Sequence, residues 1–162
     1  MFIASIIGIA IFIAYVIVSV VKFGVPPSLS DTYYLYGGKP KGYIFTAVLW
    51  ITVFCLIPQW ITITPESIRF LVFLACAGLL LVGAAPIFKS RDDKWHQAFA
   101  IICAIAAIAW EVVMKQYIIL GSSIIVILLI ALLTKTLKKG KTFYLEMMAF
   151  LSAFSSIIYL SI

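Results

Sequence analysis

Charge is what this sequence has least of. Lys, Arg, Asp and Glu make up 11% of the 162 residues, the acids number six and histidine occurs once. A soluble domain carries about 25% charged residues, so a fold with a solvated polar surface all round is excluded. One histidine and few acids leave little to hold a catalytic metal, since zinc in enzymes normally takes three protein ligands and keeps one position open. The cysteines, Cys55, Cys76 and Cys103, are odd in number and lie inside apolar runs, so no disulfide framework is implied. The chain also lacks an internal repeat, a nucleotide-binding glycine loop and a serine-hydrolase elbow.

What is there is apolar: 65% of the residues are hydrophobic and the mean hydropathy is +1.20. Six runs, about 2–22, 42–60, 66–88, 95–115, 117–135 and 143–161, match the ~20 residues a helix needs to cross ~30 Å of hydrocarbon. Lipid offers the backbone no hydrogen-bond partners, so such runs select helices. The expectation is an all-α, polytopic transmembrane bundle of six helices, a single domain over 1–162. Thr64-Pro65-Glu66 reads as a cap, a first-turn proline and an acid at a helix start, and Asp92-Asp93 does the same before the fourth segment. Gly37-Gly38 and Gly140 break the chain, and Met114 to Tyr117 is the tightest connection.

Ten of the twelve Lys and Arg residues fall in the odd connections: Lys22, Lys39 and Lys41; Lys89, Arg91 and Lys94; Lys135, Lys138, Lys139 and Lys141. Only Arg69 and Lys115 lie on the other side. Basic residues stay in the cytoplasm, so both termini are expected outside, in a cell membrane of the bacterial inner type. The first segment lacks a basic leader and a small-residue cleavage site, and it reads as a span rather than a signal peptide. The net charge of +6 is then no nucleic-acid footprint. The expected partners are membrane lipids, with anionic headgroups at Lys135, Lys138, Lys139 and Lys141, each worth about 1 kcal/mol near the surface.

One polar stretch stands out, "VPPSLSDTYYLYGG" at 25–38, in the first cytoplasmic connection. Ser28-Leu29-Ser30-Asp31 has capping-box spacing, so Ser28 is expected to start a short helix, with Tyr33, Tyr34 and Tyr36 at headgroup depth. Cap and aromatic belt form one reading. The other is a ligand site made of Ser28, Ser30, Asp31, Tyr33, Tyr34 and His96, in which Asp31 holds the His96 imidazole in one tautomer. Asp31 and His96 are both expected at the cytoplasmic face.

Pro27-Ser28-Leu29-Ser30 with Tyr33-Tyr34, then Gly83-Ala84-Ala85-Pro86, then His96 with Ala98 and Ala100, resembles a group of small bacterial multi-pass membrane proteins. Those carry Pro-Ser-Ile-Ser with paired tyrosines, a small-residue segment ending in proline and a histidine at the next helix start. The resemblance covers about 25 to 107. That group in turn resembles, more distantly, the superfamily of alkaline ceramidases and progestin/adipoQ-type receptors. There a serine, an aspartate and three histidines hold zinc in a seven-helix bundle. The resemblance implies a serine at Ser28 or Ser30, an acid at Asp31 and one histidine at His96. The chain departs from it in having one histidine and six segments, and no cofactor or metal is expected.

In the segment 95–115, His96, Ala100, Cys103, Ala107 and Glu111 share a face, and Ala98, Ala104, Ala106 and Ala109 keep the rest slim. Small residues let membrane helices approach closely, so this segment is expected to be the least lipid-exposed of the six. Glu111 is an intramembrane acid with two readings: a proton- or cation-handling group, or the partner of Lys115 one turn on. Glu146 reads as a first-turn acid favoured by the helix dipole.

The function these residues imply is binding of a small ligand or lipid at a cytoplasmic polar cluster. The alternative is a non-catalytic structural or interaction module. A metal-dependent lipid hydrolase is under-equipped, and a proton-coupled transporter lacks the repeat or broken helix pair that transporters use.

Overall fold

The computed structural model describes residues 1–88, 94–136 and 138–162. Among them every regular element is helical: α1 (Phe2–Phe23), a short α2 (Thr32–Leu35), α3 (Tyr43–Ile63), a 3-10 turn (Glu66–Ile68), α4 (Arg69–Phe88), α5 (Lys94–Val113), α6 (Tyr117–Leu133) and α7 (Lys141–Tyr159). Five of these helices are long and apolar enough to cross a membrane, and Tyr117–Leu133 is a shorter apolar helix of 17 residues. The connection of Met114 to Tyr117 is as tight as expected. Lys115 takes a left-handed conformation (φ 59°) there, and the Gln116 N–H donates to the Glu111 carbonyl.

The helices pack in chain order. α1 lies beside α3, α3 beside α4 and α4 beside α5, while α6 rests mainly on α7 and α7 returns toward α5, α1 and α3. Two glycines set the closest approaches. A side chain at Gly8 of α1 would meet Cys55 Cβ of α3 at 2.6 Å, and one at Gly78 of α4 would meet Cys103 Cβ of α5 at 2.9 Å. Bare helix faces let backbones come together where lipid supplies no hydrophobic drive. Hydroxyls and an indole add cross-helix bonds to carbonyls: Ser5 to Cys55 (3.2 Å), Thr46 to Gly83 (2.7 Å) and Trp50 to Leu80 (3.1 Å). Aromatic packing then joins α1 to α7, with Phe12 4.3 Å from Phe150 and 5.3 Å from Phe154 between ring centroids.

Three expectations need correction. Thr64 does not cap: its hydroxyl donates back to the Trp60 carbonyl (2.6 Å) and accepts the Trp110 indole N–H (2.8 Å), and Pro65 precedes the 3-10 turn that leads into α4. Cross-helix demand for a buried hydroxyl outweighed the local cap. Glu146 is not a first-turn acid, because α7 starts at Lys141 and places it in the second turn. Nor is the slim segment the most enclosed. Half of the apolar window of α3 is buried, against 22% for that of α5. Alanines cover little of their neighbours, and on α5 they border empty space. Asp92-Asp93, Lys89 and Arg91 lie outside the described residues.

Candidate functional site

That empty space is a cavity of about 90 Å³ running along the bundle axis between α3, α4, α5 and α7. Its α5 wall is Ala100, Cys103, Ala104 and Ala107, one helical stripe of small side chains. Its α7 wall is Glu146, Ala149, Phe150, Ala153, Phe154 and Ile157, again spaced along one face. α3 contributes Phe45, Leu49, Val53, Leu56 and Trp60, and α4 contributes Ala75, Cys76, Leu79 and Val82. Apart from the cysteine thiols and the Trp60 indole, side-chain polarity enters only at one end, through Ser30 and Glu146 beside Leu29. At the other end the Trp60 indole N–H is buried without a hydrogen-bond partner among the described residues.

The stretch from Val25 to Tyr36 covers the Ser30 end. It is fastened to α7 by the Leu29 N–H, which donates to Glu146 Oε2 (2.6 Å), and by the Phe143 N–H, which donates to the Pro27 carbonyl (3.1 Å). It is fastened to α1 by Tyr15, whose hydroxyl bonds Thr32 Oγ1 (2.5 Å), and by Ser19, whose hydroxyl lies 3.3 Å from that of Tyr36. Thr32 in turn donates to the Leu29 carbonyl (2.5 Å). Lys22 sits over the Tyr36 ring, 5.0 Å from its centroid, where a cation meets the negative face of the π system. The cover is therefore held at both edges by buried or half-buried polar contacts.

Three of the expected site residues come together. Ser28 Oγ lies 3.1 Å from Ser30 Oγ, donates to Asp31 Oδ2 (3.0 Å) and accepts the Asp31 N–H (3.3 Å). Only half of the expected capping box is present, because Asp31 Oδ2 accepts the Ser28 hydroxyl rather than its backbone N–H, and the regular helix starts at Thr32 rather than at Ser28. Tyr33 is 2% exposed, packs edge-on against Tyr34 at 5.2 Å, and has its hydroxyl buried without a partner among the described residues. Burial pushes its phenol above the ordinary value, with Tyr43 and Tyr34 adding to the effect. His96 is half-buried in the first turn of α5, one turn before Ala100, and does not line the cavity.

Glu111 belongs to neither group. It is 1% exposed at the far end of α5, and its Oε1 accepts hydroxyls from Ser152 (2.5 Å) and Ser156 (3.0 Å) of α7. Lys115 is exposed, so the described partners of Glu111 are serines rather than the lysine one turn on.

The zinc site implied by the resemblance does not fit these residues. Ser28 and Asp31 bond each other, and among the described residues no three His, Cys, Asp or Glu side chains come together as metal ligands. Sequence reasoning missed the double role of Glu146, which ties down the cover and lines the cavity. Its signal was an acid sharing the 146, 149, 150, 153, 154 and 157 face with two alanines in an otherwise apolar segment. Comparison with protein-family models, curated proteins and solved structures finds no match to the chain.

Proposed function

We propose that this chain is a six-span membrane protein that holds part of the hydrocarbon chain of a lipid in its central cavity, with the polar head of that ligand at Ser30 and Glu146. The carrying observation is the cavity itself, apolar along its length, with Ser30 and Glu146 at the end covered by the Val25–Tyr36 stretch. A carboxylate only accepts hydrogen bonds, so the head it suits is a donor such as an alcohol. The protein acts in this reading as a binder and not as an enzyme. Alternating small and aromatic residues along α7 leave a slot of hydrocarbon width, and burying a chain there contributes roughly 0.8 kcal/mol per CH₂.

The ten-to-two split of Lys and Arg supports termini outside and the covered end in the cytoplasm. A 17-residue α6 lies at the short end of the range for a spanning helix. Exposed Lys135, Lys138, Lys139 and Lys141 then meet anionic headgroups on the same face as the cover. Reporter fusions after Pro40 and Lys139 should read cytoplasm, and fusions after Ile63 and Ile162 should read outside. An outside signal at Lys139 removes the sidedness.

Native thiols provide the binding test. Cys76 and Cys103 line the cavity, whereas Cys55 sits at the α1–α3 contact. Adding monoolein to purified protein should slow maleimide labelling of Cys76 and Cys103 and leave Cys55 unchanged, and Ala104→Phe should abolish that protection. Labelling of all three thiols unaffected by monoolein, with no lipid in organic extracts of the protein, would sink the reading.

A further inference from the structure

We propose that Glu111, Ser152 and Ser156 form a binding site for a hard monovalent cation, a sodium ion or a proton, separate from the hydrocarbon cavity. Glu111 is 1% exposed and both serines are 0% exposed. Their three oxygens converge, with Ser152 Oγ 2.5 Å and Ser156 Oγ 3.0 Å from Glu111 Oε1. Hydroxyl hydrogens rotate freely, so the same oxygens present lone pairs to a positive charge as readily as they donate to the carboxylate. Hard cations take such all-oxygen sites.

The charge balance demands a partner. A carboxylate inside a bilayer without a counter-charge is costly, and it is expected to pair or to be neutralised. The charged side chains at this end of the bundle are Glu66, Arg69 and Lys115. Glu66 and Lys115 are exposed, and the Arg69 Nε–H donates to the Thr64 carbonyl (3.2 Å). None of them makes an ion pair with Glu111 among the described residues, and α7 brings only the two serines to its carboxylate. A bound cation supplies the missing charge.

Thr64, Gln59 and Gln116 are buried at this end and uncharged. Gln59 Nε2 donates to Ser161 Oγ (2.9 Å) and Gln116 Nε2 to the Met114 carbonyl (2.8 Å). They place uncharged polar groups at the ends of α3, α5 and α7, the end of the bundle at which Glu111 lies. None of Glu111, Ser152 and Ser156 lines the hydrocarbon cavity, so the site stands or falls independently of the lipid reading.

The test is thermal unfolding of the full chain in mild detergent, in sodium chloride against choline chloride, from about pH 5 to about pH 8. Binding to the native state alone raises the midpoint with the logarithm of ligand concentration. A sodium-dependent rise assigns sodium. A midpoint that falls with rising pH whatever the salt assigns the proton, because the native state then holds a proton that the unfolded chain releases. Glu111→Gln, which keeps an acceptor for both serines, should erase the sodium dependence and flatten the pH dependence, leaving only the part contributed by the other buried acid, Glu146. Ser156→Ala should weaken the dependence while keeping the fold, which covers the case in which the Gln variant fails to assemble. A midpoint independent of sodium and of pH in the parent overturns the proposal, as does an unchanged dependence in Glu111→Gln.

Discussion

α5 meets its two neighbours in opposite ways, though it offers small residues to both. Against α4 it closes until Gly78 has no room for a Cβ beside Cys103 Cβ and the Phe99 carbonyl, at 2.9 and 3.1 Å. Against α7, Ala100, Ala104 and Ala107 border a void that Ala149 and Ala153 border from the other side. Small side chains permit close approach and do not compel it. On α7 the alanines alternate with Phe150, Phe154 and Ile157, which hold the helix off. The bonds of Ser152 and Ser156 to Glu111 tie α7 to α5, while Glu146 ties its other end to the cover at Leu29.

The sharpest way to break this comparison is to enlarge both sides. Gly78→Val should lower stability by about 1–3 kcal/mol through overpacking against backbone, read as a lower unfolding midpoint in detergent. Second in size is the far clamp: Ser152→Ala with Ser156→Ala leaves a buried acceptor unsatisfied and should cost about 1–3 kcal/mol. Equal midpoints for this double variant and the parent would show that α7 needs no clamp there. At the near clamp, Glu146→Ala should cost roughly 0.5–1.5 kcal/mol. Its clearest sign is faster hydrogen exchange at the Leu29 amide, with α3 unaffected.

The smallest effect is expected where the void is. Ala104→Leu enters free space and should leave stability within about 1 kcal/mol of the parent, while removing the monoolein protection of Cys76 and Cys103. Losses of similar size at Gly78 and Ala104 would mean that the α5–α7 gap closes in solution, and the contrast would then be lost.

Much of the architecture was legible because long apolar runs select helices over other regular structure. Apolar runs and their breaks located the six long helices among the described residues to within a few residues, and the spacing of Ser28 and Asp31 foretold that the two side chains meet, though not as a helix cap. Less was legible wherever a side chain answers to another helix. Thr64 sits where a cap belongs and serves Trp110 instead. Tyr15 and Ser19, four apart in the first segment, reach Thr32 and Tyr36 of the cover. Their partners lie 17 residues away, beyond any helical repeat.

By itself the sequence determined the helical class, the lengths of its segments and the bias of positive charge, since each follows from composition or from neighbours within a turn or two. Only the tertiary structure decided that α3 rather than α5 is the most enclosed helix, that Glu146 faces the cavity and holds its cover, and that Glu111 meets serines rather than Lys115. The reason is physical. Hydropathy and capping are settled locally along the chain, whereas a void and a buried polar cluster depend on how several helices meet around them.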